Sequence, residues 1–113
     1  MDLEIEWLSD SVTRVMPIGR WDVGGAAKIE LRLSALAGSG RSLIVDLAQV
    51  SFLSSMGIRS IVMSAKAVTL KGARLVLLAP ARNVEMVLTD TGIDTLAPIF
   101  HDVDAAMAAV GGE

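Results

Sequence analysis

The residues with the clearest chemical potential are two adjacent serines, Ser54 and Ser55, which follow the apolar segment 43–53 and precede a helical pattern. A hydroxyl at the start of a helix lies beside backbone amides that have no partner within the helix and that favour negative charge. Such an oxygen is a suitable acceptor for a phosphoryl group. Serine is also a favoured N-cap, worth about 1 kcal/mol, so one serine can cap the helix while the other is modified.

The remaining polar residues suggest little catalytic chemistry. Asp46 ends an apolar run, where an aspartate usually satisfies nearby backbone amides instead of acting as an acid. His101 is the single histidine and cysteine is absent, so an ordinary zinc site has no ligand set. The pair Gly24-Gly25 lacks the lysine of a phosphate-binding loop, and Ser55 lacks the Gly-x-Ser-x-Gly elbow of hydrolases. We therefore expect no enzyme, no cofactor and no metal.

Composition and charge favour one folded domain that does not bind nucleic acid. The chain has 113 residues, of which 52% are hydrophobic, enough for a single core. The net charge is −3 and the ten basic residues are scattered, whereas nucleic-acid binders concentrate them. Trp7 and Trp21 have no third aromatic beside them, so we expect half-buried packing residues and not a stacking platform.

The sequence carries no sign of membrane insertion or export. No apolar run approaches the length of a bilayer span, and the acidic segment Met1–Glu4 does not resemble a secretion signal. Together with the absence of cysteine, this pattern predicts a cytoplasmic protein. An exposed edge of the first strand pair predicts a monomer or a weak dimer.

The periodicity of apolar residues predicts the elements that position the serines. Strands are expected at 4–8, 12–18, 43–47, 74–79 and 96–100, and helices at 22–37, 54–70, 82–90 and 103–110. The first two strands form a hairpin, with Pro17 at an edge or a strand end. The segment between Leu47 and Ser54 is expected to be a turn.

The order of these elements, β-β-α-β-α-β-α-β-α, predicts the architecture. Strands that alternate with helices favour an α/β domain in which the later strands are parallel. We expect residues 1–113 to form a single domain with a mixed sheet of about five strands and helices packed mainly on one face.

A longer motif surrounds the two serines and carries a family resemblance. Its residues are Asp46-Leu47-x-x-Val50-x-Phe52-Leu53-Ser54-Ser55-Met56-Gly57-Ile58. The motif resembles the signature of the STAS domain, the fold of bacterial anti-sigma factor antagonists. The expected element order and length match that fold over nearly the whole chain.

The resemblance implies that Ser55 is the phosphorylated residue, because the family places that serine two positions before the glycine. Ser54 stands where the family often has aspartate, and Met56 where it often has serine or threonine. The segment Gly19-Arg20-Trp21-Asp22 is similar to the family's Gly-Glu-Leu-Asp, whose aspartate is implicated near the phosphoserine and in partner contact. Without the resemblance, Asp22 is equally a helix N-cap, and Arg20 is typical of a solvated surface arginine.

The resemblance further implies partner switching. The unmodified domain binds an anti-sigma factor that is also a serine kinase, phosphorylation of Ser55 ends the interaction, and a metal-dependent serine phosphatase restores it. The flexible side chain of Met56 suits a protein contact, and Gly57 is expected to leave the first helical turn open to close approach. The expected partner-binding residues are Arg20, Asp22, Ser54, Ser55, Met56, Gly57 and Arg59. An alternative is a stand-alone STAS subunit of a phospholipid-transport ATPase complex.

Overall fold

The computed structural model describes residues 1–111, which form one mixed sheet and the helices that cover it. The strands are β1 (Asp2–Trp7), β2 (Val12–Trp21), β3 (Ser42–Asp46), β4 (Val50–Leu53), β5 (Leu75–Leu78) and β6 (Ile99–Phe100). The helices are α1 (Val23–Ala37), α2 (Ser55–Leu70), α3 (Arg82–Asp90), α4 (Ile93–Leu96) and α5 (Val103–Ala109). The short helix α4 is an addition to the expected elements.

The sheet has the order β1-β2-β3-β5-β6, with β4 beside the far end of β2. The pair β1–β2 is antiparallel, and the other pairs are parallel. The expected mixed α/β architecture is therefore confirmed, with six strands in place of about five. The sixth is β4, in the segment that we expected to be a turn.

Strand β2 pairs with one strand in its first half and with another near its end. This change of pairing partner explains why β4 is a strand and why Pro17 is tolerated inside β2. Residues 12–15 of β2 pair with β3, whereas residues 19–21 pair with β4. Pro17 lies between these two pairings, in the interior of the strand, so its expected edge or terminal position was wrong. The N–H of Gly19 donates to Gln49 in the direction of β4. Strand alternation turns the Pro17 nitrogen to the same side, where the missing hydrogen costs no ladder hydrogen bond.

The core lies on both faces of the sheet. Leu43 and Val45 face the larger apolar cluster, to which α1, α2, α3 and α4 contribute, while Ile44 faces a smaller cluster under α5. This arrangement confirms that the helices lie mainly on one face. It also explains the continuous apolar run of β3, because a strand buried on both faces cannot alternate with polar residues.

Asp46 has the structural role that its position suggests. One carboxylate oxygen accepts the N–H of Ala48 at 3.0 Å, and the other accepts two N–H groups of Arg14 at 2.6 and 3.1 Å. The hydrogen bond to Asp46 raises the pKa of the Arg14 guanidinium. Asp46 thus fixes the turn between β3 and β4 and joins it to β2.

Two further features concern the surface. Trp7 is 64% exposed and lies against the guanidinium of Arg41 at 5.0 Å, so the expectation that Trp7 is half-buried was wrong. Trp7 ends the edge strand β1, which has a neighbouring strand, β2, on one side only. Within residues 1–111, none of the helices combines the length and the apolar character that a bilayer crossing requires.

Replacing Asp46 with alanine should destabilise the domain by about 1–3 kcal/mol, because it leaves the half-buried Arg14 and the Ala48 amide without their acceptor. The matched control is Glu6→Gln, which removes the exposed 3.3 Å ion pair of the same arginine. That pair should contribute no more than about 1 kcal/mol. Urea unfolding at neutral pH measures both, and equal losses would contradict the structural role of Asp46.

Candidate functional site

The two adjacent serines occupy different environments. Ser54 is the half-buried N-cap of α2: its hydroxyl accepts the N–H of Gly57 at 3.2 Å and donates to the carbonyl of Trp21 at 2.7 Å. Ser55 is the first residue of the helix, and it is exposed. Among the described residues 1–111, its hydroxyl has no hydrogen-bond partner. One serine therefore caps the helix, and the other has its oxygen available to solvent.

Gly57 has a different role from the one expected. It is buried, and a Cβ atom at this position would lie 2.5 Å from Leu53 Cδ1 and 2.9 Å from Trp21 Cγ. Two residues after Ser55, the helix has turned by more than half a revolution, so Gly57 faces the interior while Ser55 faces solvent. The absent side chain makes room for the Trp21 ring and offers no surface to a partner. Trp21 itself is fully buried, not half-buried as expected.

Asp22 lies at the junction of β2 and α1 and caps α1. Its Oδ1 accepts the N–H of Gly25 at 2.8 Å, which confirms the capping role. This hydrogen bond is the main reason that the pKa of the Asp22 carboxyl lies below its ordinary value. A weaker contribution comes from Arg20, whose Nε lies 3.7 Å from Oδ2.

Arg20 is exposed, but its guanidinium group contacts neighbouring side chains. Its guanidinium carbon lies 4.3 Å from the centre of the Phe52 ring, and the two residues are direct partners in the pairing of β2 with β4. Arg20 therefore stacks on a partly exposed aromatic ring, in addition to its contact with Asp22. Phe52 belongs to the sequence motif, but the motif does not indicate that its ring contacts Arg20.

These residues meet because β2 and β4 run in parallel and end at the same edge of the sheet, where α1 and α2 begin. Arg20, Phe52 and Met56 are all exposed there, with Met56 at 39%. We call this surface the switch surface and define it by its exposed or half-exposed side chains: Arg20, Asp22, Phe52, Ser54, Ser55, Met56 and Arg59. It offers cationic, anionic, apolar and hydroxyl groups around one exposed serine.

Residues 8–106 match the family model of the STAS domain. This chain belongs to the STAS domain family. A search of curated proteins found no match.

Solved structures share the fold over nearly their whole length. An anti-sigma factor antagonist from Mycobacterium paratuberculosis is 23% identical, with a TM-score of 0.87 over 97% of this chain and 93% of that chain. An anti-sigma-factor antagonist (STAS) domain protein from Planctomyces limnophilus is 20% identical, with a TM-score of 0.84 over 98% and 99%. Unphosphorylated SpoIIAA, the Bacillus cell fate determinant, is 18% identical, with a TM-score of 0.80 over 97% of each chain.

A groove between α1 and α2 begins at the switch surface of this STAS domain and is lined by residues of both helices. Its volume is about 350 Å³, and its walls include Arg59 and Met56 on α2 and Glu30 on α1. Arg59 lies close to the Ser55 end of α2, which places it on both the groove and the switch surface. His101 is exposed, with its Nε2 2.9 Å from Glu85, as expected for a surface histidine.

Replacing Gly57 with alanine should destabilise the STAS domain by about 1–3 kcal/mol, because the new methyl group overlaps Leu53 and Trp21. This loss exceeds the gain of up to about 1 kcal/mol that alanine brings to an ordinary helical position. The matched control is Gly24→Ala in the first turn of α1, where the added methyl makes only a 3.7 Å contact with Asp22. Urea unfolding should show that Gly24→Ala is at least as stable as wild type. Equal losses of unfolding free energy in the two variants would contradict the packing role of Gly57.

Asp22 should contribute a pH-dependent part of the stability. Because folding lowers its pKa, its contribution is complete above the unfolded-state pKa of about 4 and is lost as the pH falls through the folded-state value. Asp22→Asn keeps a capping oxygen but cannot titrate. The difference in unfolding free energy between wild type and this variant should stay constant from pH 7 to pH 5 and shift towards the variant below about pH 4. A difference that does not change with pH would refute this role.

Proposed function

We propose that this STAS domain is an anti-sigma factor antagonist that acts by binding and catalyses no reaction. In the bacterial cytoplasm, its unphosphorylated form occupies an anti-sigma factor and thereby frees a sigma factor for transcription. The anti-sigma factor is also the serine kinase that modifies Ser55, and a metal-dependent serine phosphatase reverses the modification.

The environment of Ser55 is the observation that carries this proposal. Ser55 is exposed and its hydroxyl forms no hydrogen bond with the described residues 1–111, whereas the hydroxyl of the adjacent Ser54 caps α2. A kinase and a phosphatase both need access to the oxygen that they modify, and Ser55 offers that access without unfolding the helix. Ser54 is a poorer acceptor of a phosphoryl group, because its hydroxyl would first have to break both of its hydrogen bonds.

The switch surface has the composition of a protein contact. Met56 and Phe52 are partly exposed apolar side chains, and the guanidinium group of Arg20 lies over the Phe52 ring. Aromatic, methionine and arginine side chains are enriched in protein interfaces. Asp22 and Arg59 supply charges of both signs at its border. Gly57 contributes indirectly, because it allows α2 to pack on Trp21 and thereby sets the position of Ser55.

Electrostatics explains how one phosphoryl group ends the interaction. Phosphorylation adds about −1.5 to −2 charges at neutral pH. In a closed interface this group loses its hydration, and a buried unpaired charge costs about 2–5 kcal/mol. Each 1.4 kcal/mol is a factor of ten in affinity, so binding should weaken by about tenfold to several thousandfold.

Incubation with ATP and the candidate serine kinases of the source genome should place phosphate on Ser55, as located by mass spectrometry. Ser55→Ala should abolish the modification. Ser51→Ala should not, although Ser51 is also exposed and lies on β4 beside the switch surface. Phosphate that persists in Ser55→Ala would contradict the assignment of the residue.

The same kinases provide a binding test. Ser55→Asp should weaken binding of the cognate kinase at least tenfold, while Ser51→Asp leaves it nearly unchanged, and melting curves must show that both variants are folded. Wild-type affinity in folded Ser55→Asp would refute the switch. Co-purification with a transport ATPase and no phosphorylation by any kinase would instead support a subunit of a phospholipid-transport complex.

A further inference from the structure

Arg59 lies one helical turn after Ser55. Ser55 is the first residue of α2, Arg59 is four residues later, and both are exposed. Residues four apart on a helix lie on the same face, with Cβ atoms about 5–6 Å apart. An arginine side chain can therefore direct its guanidinium group to an anion at the position of the Ser55 oxygen.

Arg59 is also uncommitted among the residues 1–111. The ion pairs within this part of the chain involve Arg14, Arg20 and His101, and none of them involves Arg59. Glu30, across the groove on α1, is the carboxylate that shares the groove with Arg59, and the two side chains form no ion pair. Arg59 thus has an unused guanidinium group in reach of the proposed modification site.

Arg20 is the other cationic residue of the switch surface, and it already has partners. It lies 4.3 Å from the centre of the Phe52 ring and 3.7 Å from Asp22 Oδ2. Its transfer to a phosphoryl group would require the loss of both contacts. Arg59 gives up no such contact, so it is the better placed of the two arginines.

We infer that Arg59 binds the phosphoryl group of phosphorylated Ser55 within the same helix. This inference rests on the proposed function only in taking Ser55 as the modified residue. A guanidinium group can donate two parallel N–H bonds to phosphate oxygens, and a dianion attracts it more strongly than the single charge of Glu30 does. Modification then changes the switch surface twice, because it adds negative charge and withdraws Arg59 from contact with a partner.

The test is a titration of the phosphoryl group in protein that carries phosphoserine at position 55, introduced during translation. In ³¹P NMR, an ion pair lowers the second phosphate pKa, because the cation stabilises the dianion. The second phosphate pKa should be about 0.2–0.4 units lower in wild type than in Arg59→Gln, as expected for an exposed ion pair between residues four positions apart. Arg59→Lys should restore part of the shift. Arg32→Gln, which removes an exposed charge on α1, should titrate like wild type.

A second readout reports the contact directly. In a pH titration of the wild-type phosphoprotein, the chemical shift of the Arg59 Nε–H should change with the same midpoint as the phosphorus signal. Equal phosphate pKa values in wild type and Arg59→Gln would overturn the inference, as would a shift that disappears only in Arg20→Gln. Because translation introduces the phosphoserine, this outcome does not depend on any kinase. Failure of the kinase assay would therefore refute the proposed function and leave the titration result intact.

Discussion

The contact between the Trp21 ring and the bare backbone of Gly57 is the constraint on which the switch surface depends. Trp21 ends β2, and its ring fills the space that a side chain at position 57 would occupy. Its carbonyl oxygen accepts two hydrogen bonds from Ser54, one from the backbone N–H and one from the hydroxyl. The end of β2, the end of β4 and the start of α2 are thereby held in one position, although the Trp21 indole N–H has no partner among residues 1–111. Burial of the large ring must offset the desolvation of that donor, which costs about 1–3 kcal/mol.

This arrangement separates the groups that hold the helix from the group that is available for chemistry. Capping and packing are carried out by Ser54, Gly57 and Trp21, and none of their contacts involves the hydroxyl of Ser55. A change at Ser55 therefore leaves the interactions that define the fold in place. Under the proposed function, phosphorylation of Ser55 would act through the charge and shape of the surface, without requiring a conformational change of the domain.

The parts of the fold that sequence predicts well are those set by local chemistry. The start of α1 follows from Asp22 as an N-cap, and the start of α2 from the serine pair, because capping is decided within four residues. The continuous apolar run of β3 likewise predicts a strand covered on both faces. The strand β4 was missed because two of its four residues are exposed and its identity depends on pairing with residues 19–21, more than 25 positions earlier. The same distant pairing decides that Pro17 is tolerated inside β2.

The candidate site likewise combines features that the local sequence predicts with features that depend on distant contacts. Exposure of Ser55 follows from its place at a helix start, but the inward direction of Gly57 depends on where the Trp21 ring lies, which no local pattern contains. The contact of Arg20 with Phe52 arises for the same reason, because it requires the register of β2 against β4. The two arginines of the switch surface therefore differ: Arg20 contacts Phe52 and Asp22, whereas Arg59 forms no ion pair among residues 1–111. An added negative charge at the start of α2 would therefore meet one arginine with two existing contacts and another with no ion pair within residues 1–111, and our proposal assigns the response to the second because it gives up no such contact.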